Sequence, residues 1–176
     1  MSLLRRLPAL GLLLSAGTLG ACSLWPTVPA TPAVAEVAPQ SRLAAIAAAA
    51  GADDRELAVQ PLRDPQVEDL RRAAARALAA GDTAEAAAAL NYALLIVADD
   101  PALLQERAEV ALLQREYARA ETLAQRAYGA GARVGPLCRR HWATIEQARL
   151  ALGQAETAAD ARARIDTCTV PGIQRM

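Results

Sequence analysis

The sequence predicts an all-α fold, and three observations point there. The apolar half of the chain is built from alanine and leucine, with no phenylalanine and only 3% aromatic residues. Alanine is the strongest helix former and a poor strand residue, so a core made from it calls for closely approaching helices. Helix start and stop signals recur from Asp64 onward and mark out helices of about 12–17 residues. Small residues also recur at a fixed spacing of 34, which points to stacked units of one kind.

Residues 1–21 read as a targeting segment. Arg5 and Arg6 form a positive n-region, and Leu7 to Leu19 is a mostly apolar run too short to span a bilayer. The run ends Leu19-Gly20-Ala21-Cys22, which resembles the lipobox of bacterial lipoproteins. That resemblance implies cleavage before Cys22 and acylation of its sulfur; cleavage after Ala30 by the ordinary signal peptidase is the alternative. Ser23 stands where the lipoprotein inner-membrane retention signal usually has aspartate, which implies the outer membrane, facing the periplasm. Several acyl chains together hold a protein stably where one does not.

Residues 22–40 carry the anchor and a linker with Pro26, Pro29, Pro32 and Pro39. An extended polyproline-like segment of this length reaches on the order of 55 Å at ~3.1 Å per residue. Within residues 41–63, Ser41 to Gly51 reads as a short helix, and the stretch with Pro61 as a connector. A repeat domain follows over residues 64–168 and a tail over 169–176. Asp64-Pro65 opens the first helix of that domain and Gly81 closes it; Asp82 with Glu85 opens the next, to about Ala98. Asp100-Pro101 repeats the opening, predicting helices at 101–114 and 116–129. Past the Gly129/Gly131/Gly135 loop, two more are expected at 136–152 and 154–167, split at Gly153. Loops this short make antiparallel hairpins.

With units starting at Val67 and Pro101, the pairs Ala74/Ala108, Ala77/Ala111, Ala86/Ala120 and Ala93/Ala127 fall in register, as do Leu70 and Leu104. A third unit fits after a four-residue insertion, starting near Arg139. It puts Trp142 at the leucine place, Gly153 opposite Gly81 and Ala158 opposite Ala86, while Glu146 and Ile165 depart from the pattern. This arrangement resembles the tetratricopeptide repeat, whose paired helices pack through small residues at the places of Ala74, Ala86 and Ala93. Tyr117 also matches that family, and Arg115 stands where Gly81 stands in the first unit. The resemblance covers residues 67 to about 168 and implies a short right-handed solenoid of about three repeats.

Charge and chemistry exclude several classes. Lys+Arg and Asp+Glu each number 19, and every basic residue is arginine. Losing Arg5 and Arg6 leaves 17 against 19, about −2, with no basic block, which argues against nucleic acid. His141 is the sole histidine, no cysteine pair has zinc spacing, and no glycine-rich phosphate loop follows a strand. Neither a catalytic residue, a metal site nor a cofactor is expected. With Cys22 acylated, Cys138 and Cys168 remain; an even pair in an oxidising compartment reads as a disulfide, two buried free thiols being the alternative.

Binding is what remains. In the family it resembles, the first helix of each repeat lines a groove, which implies Arg71 and Arg72, Gln105 and Glu109, and Arg140 and Gln147 as protein-binding residues. Ala75 stands where a chaperone-type carboxylate clamp would need asparagine, so that clamp is not expected. The expectation is a non-catalytic, lipid-anchored adaptor for a periplasmic protein or peptide. The alternative is a pilotin-like assembly lipoprotein for pilus or secretion machinery, and an enzyme with an unrecognised site is the weakest reading.

Overall fold

Seven helices and no strand make up the computed structural model over the residues it describes, 36–51 and 64–169, all within one compact unit. The anchor at Cys22, the signal segment, the linker up to residue 35, the connector 52–63 and the tail from residue 170 lie outside the described residues. In chain order the helices are α1 (Pro39–Ala50), α2 (Pro65–Ala79), α3 (Thr83–Ile96), α4 (Pro101–Leu113), α5 (Tyr117–Ala130), α6 (Pro136–Ala151) and α7 (Ala155–Thr167).

Three of the helices, α2, α3 and α4, are started by an aspartate cap. The Asp64 side chain accepts from Gln66 N at 2.7 Å, Asp82 from Glu85 N at 2.9 Å, and Asp100 from Ala102 N and Leu103 N at 2.8 and 3.0 Å. These bonds satisfy amides that a helix leaves without a partner at its first turn. The first helix departs from expectation. It begins at Pro39, not Ser41, with Ala38 as a cap that makes no side-chain bond. Proline suits the first helical position, where its fixed φ is that of a helix and its missing amide would have had no partner, so α1 starts inside the stretch expected to be linker. At the other end of a predicted helix, α3 stops at Ile96, two residues before Ala98, where Val97 turns extended at φ −131°.

Three hairpins, α2–α3, α4–α5 and α6–α7, pack side by side. Their turns are built alike. Asp82 N reaches Ala77 O at 2.8 Å, Glu116 N reaches Ala111 O at 2.9 Å, and Gln154 N reaches Arg149 O at 2.9 Å. That six-to-one bond needs a left-handed residue just before it. Gly81 (φ 80°) and Gly153 (φ 73°) supply it freely, whereas Arg115 does so at φ 62°, at a cost of roughly 1–2 kcal/mol for a residue with a Cβ. The four-residue insertion is located by comparing units. The loop 131–135 has one residue more than 97–100, and α6, at 16 residues, has three more than α4, at 13.

The recurring alanines lie at the crossings. Ala74, Ala86, Ala93, Ala108, Ala120 and Ala127 are all buried. Leu90, Leu103 and Val110 fill the space between the first two hairpins, and Ile145 with Ala108, Ala124 and Ala161 does so between the last two. Glu146 takes a crossing position in the third unit, where it pairs with Arg162 at 3.2 Å. Hydrogen bonds from Arg107 Nε to Asn91 Oδ1 and from Gln114 Nε2 to Thr83 O, both 3.0 Å, tie the first hairpin to the second.

The ends of the third hairpin meet. Cys138 and Cys168 have Cα atoms 5.7 Å apart with their sulfurs at bonding distance, and Gly135 N donates to Cys168 O at 2.8 Å. Two outcomes are expected from urea denaturation. Reducing this pair, 30 residues apart, costs ~3–4 kcal/mol of stability on the chain-entropy relation. Ala86→Leu, which adds a side chain at a crossing with no exposed surface, costs about 1–3 kcal/mol through overpacking.

Candidate functional site

The first helices of the hairpins, α2, α4 and α6, share one face, and a groove of ≈ 360 Å³ opens on it. Its apolar lining comes from Ala74, Ala75 and Leu78 of α2, Leu90 of α3, Val110 and Leu113 of α4, and Leu43 of α1. Its rim is charged, with Glu68, Arg71 and Arg72 on α2, Glu106 and Glu109 on α4, and Arg140 on α6. The rim charges pair across helices. Arg71 Nε donates to both Glu106 oxygens at 3.1 and 3.0 Å, and its Nη1 to Glu68 at 3.0 Å. Arg140 Nη2 donates to Glu109 Oε2 at 2.6 Å. Arg72 pairs with Asp69 on its own helix, where both side chains face solvent.

These pairings hold the guanidinium groups charged. Hydrogen bonding to Glu106 raises the Arg71 pKa above its ordinary value. Burial works against Arg140, but the hydrogen bond and charge of Glu109 outweigh it and raise its pKa as well. Four groove charges therefore stand as two bridges between neighbouring hairpins, presenting fixed dipoles in place of a net field.

Beneath Glu109 lies a buried polar chain. Gln105 Nε2 donates to Glu109 Oε1 at 2.9 Å and to Thr144 Oγ1 at 2.7 Å. The Gln105 Oε1 is left to accept from His141 Nδ1 at 2.7 Å, which places the imidazole proton on Nδ1. His141 Nε2 is buried without a hydrogen-bond partner. It sits near Gly131, where an added Cβ would lie 3.0 Å from Ala127 O and 3.1 Å from Pro101 Cβ, so a side chain there would crowd both neighbours.

The six residues expected to bind a partner separate. Arg71, Arg72, Glu109 and Arg140 border the groove. Gln105 does not; it is fully buried, because its amide serves the chain between α4 and α6. Gln147 lies about two turns beyond Arg140 on α6, where its backbone carbonyl accepts from Arg42 of α1 at 3.1 Å. That contact reveals what sequence reasoning missed: α1 packs on α4 and α6 and covers the remainder of the inner face. The alternation of Arg42, Leu43 and Ile46 in an alanine run was the available signal, since a solvated helix has no need of it. A second surface lies on α3, where Tyr92 is 62% and Leu95 81% exposed, with Ile96 and Val97 beside them.

Among the described residues no group of three or more His, Cys, Asp or Glu side chains could hold a metal ion. None of the helices there is long and apolar enough to cross a membrane. The groove offers shape, apolar surface and paired charge, which suits recognition of another chain.

No family model matches the sequence, and no curated protein matches it. Among solved structures, the globular C-terminal domain of P. aeruginosa LpoP is similar. It is 32% identical over 60% of this chain and 99% of that one, with a TM-score of 0.56.

Burial, and secondarily the charge of Arg140, push the His141 pKa from an ordinary 6.5 down to about 4. The unfolded chain takes up that proton as pH falls through 6.5, the folded chain only near 4. This contribution to stability is therefore complete above pH 6.5 and is lost progressively down to pH 4. The expected loss is up to about 3 kcal/mol, at ~1.4 kcal/mol per pH unit. Urea midpoints measured across this range should show the slope in the native chain and lack it in His141→Gln.

Proposed function

The folded domain belongs to the family of the globular C-terminal domain of LpoP, and we propose that the protein is a non-catalytic, membrane-tethered regulator or adaptor of a periplasmic protein. The observation that carries this is the groove: apolar below, rimmed by inter-hairpin ion pairs, and joined to a match that extends over 99% of the related domain. A penicillin-binding protein is the partner class this reading puts first. In this reading the three hairpins are tetratricopeptide-type repeats stacked as a short right-handed solenoid. Support comes from the identical turn bonding after residues 80, 114 and 152 and from the buried alanines at matched places. The tether is an acylated Cys22, the address is the periplasmic face of the outer membrane, and Cys138–Cys168 is a disulfide.

Groove geometry assigns the roles. Leu78, Leu113 and Ala75 supply the exposed area whose burial drives association, at ~25 cal/mol per Å² before the costs of docking. The Arg71–Glu106 and Arg140–Glu109 bridges reject partners that would strand a charge against them, since breaking either leaves an unpaired ion. An enzyme's site would bring an acid, base or nucleophile toward the groove floor; the floor here is aliphatic.

Binding of the full chain to purified penicillin-binding proteins from the same bacterium, read by surface plasmon resonance, tests the proposal. Ala75→Arg puts a long side chain into the groove while removing no member of an ion pair, and is expected to weaken a true partner at least tenfold, ~1.4 kcal/mol. Arg72→Glu reverses an exposed rim charge and is expected to change mainly the association rate and its salt dependence. Absence of any binding that Ala75→Arg diminishes would overturn the groove reading. Sensitivity confined to Leu95→Ser would move the partner to the α3 surface.

A further inference from the structure

The helix lying over the inner face is bound there in a manner unlike the others. Every hairpin helix is held to its neighbour by a tight turn, whereas α1 is joined to α2 only through the connector 52–63. Its contacts with α6 run head to tail: Arg42 near its start donates to Gln147 O at 3.1 Å, and Arg139 at the start of α6 donates to Ala50 O at 3.0 and 2.8 Å. The two helices are therefore antiparallel and are tied at both ends through side chain to backbone, with Ile46 seated between.

The docking carries a built-in debt. Arg42 is buried, its guanidinium 5.7 Å from the Tyr117 ring, yet its Nε has no hydrogen-bond partner. An unmet buried donor weakens the docking of the helix that carries it. Only Pro39, Arg42 and Ile46 of the twelve residues are buried. Just before α1, Glu36 receives both a guanidinium bond from Arg115, 2.7 Å to each oxygen, and the Tyr117 hydroxyl at 3.2 Å. Arg115 is the residue held left-handed where both sister turns use glycine. Strain kept at that turn, with a side chain that reaches Glu36, marks a latch on the entry to α1.

We infer that the inner face of α4 and α6 is a helix-binding surface that α1 occupies in the resting chain, and that a partner helix of the same chemistry takes its place. Such a helix carries small residues around one arginine and two branched aliphatic side chains in the spacing of Arg42, Leu43 and Ile46. Alanine on the opposing surfaces, Ala143 and Ala148 of α6 among them, lets a small-residue helix approach closely. Leu43 is shared between the seat and the open groove, so a helix that displaces α1 also replaces one wall of the groove. This inference rests on the adaptor reading and adds the form of the partner and its regulation: the apparent Kd is the intrinsic Kd divided by the fraction of chains in which α1 is released.

The test uses the full chain purified from membranes in detergent, with a fluorescein-labelled synthetic peptide of residues 39–50 as the probe. Amide exchange in α1 is expected at least tenfold faster than in α4 and α6, because α1 opens locally. Ile46→Asp removes the buried anchor and is expected to bind the peptide at least tenfold more tightly than the native chain. Should Ile46→Asp fail to fold, Glu36→Ala with Arg115→Gly opens the latch while losing no buried contact and placing glycine where φ is positive; severalfold tighter binding is expected. Protection of α1 equal to that of α4 and α6, or peptide affinity unchanged by release, would overturn the inference. The peptide needs no natural partner, so failure of exchange with the groove-dependent partner intact removes this inference alone. Exchange without any partner removes the adaptor reading instead.

Discussion

Close approach of backbones across alanine is the constraint from which the other features descend. A core without phenylalanine has little side-chain volume to fill the space between helices, so dense packing requires the helix axes to draw together. Ala74, Ala86 and Ala93, with Ala108, Ala120 and Ala127 one unit later, occupy those crossings. Once two helices cross this closely, the turn between them has little latitude, and the same six-to-one bond appears at each of the three hairpins. The repeat is thus a consequence of side-chain poverty: one workable crossing, used again.

Polar chemistry then does what volume cannot. Between neighbouring hairpins the long side chains of arginine, glutamate and glutamine span distances that alanine leaves open. Arg107 with Asn91, Arg71 with Glu106, Arg140 with Glu109, and the buried line from Glu109 through Gln105 to His141 are bridges of this kind. Each bridge joins elements distant in sequence, so alignment of the hairpins depends on satisfied hydrogen bonds as well as on area. The inner face inherits its character from them, with pairs at the rim and aliphatic surface beneath.

Much of this was legible in residue order. Asp-Pro and Asp-x-x-Glu openings mark helix starts because the capping chemistry is local, and all six helices of the hairpins lie within about two residues of expectation. The insertion before Arg139 was also visible, as a slip in register. What was not legible is tertiary. Gln105 occupies a helical place that would face the groove, yet it turns inward, because Thr144 and His141, 39 and 36 residues away, supply its partners. The seat of α1 is likewise hidden: Arg42, Leu43 and Ile46 mark a face of the alanine-rich dodecamer but do not say which helices it packs against. Its start was misplaced because Pro39 looks like linker in a proline-rich context and like a first helical turn only once the helix is seen.

The two ends of the described chain differ in a mechanical sense. At the far end, Cys138 and Cys168 bring the two ends of the last hairpin together at bonding distance, so a pull there meets a closed hairpin. At the near end, a pull arriving along the chain at Glu36 meets the Arg115 contact, then Arg42, then Ile46, one after another. Contacts loaded in sequence open one at a time and yield at low force, whereas contacts loaded together share it. A protein held from its N-terminal side therefore gives way at α1 before the hairpins feel the load. Slack is stored as a helix whose unwinding would lengthen the leash by about 1.8 Å per residue, from ~1.5 Å in the helix to ~3.3 Å extended.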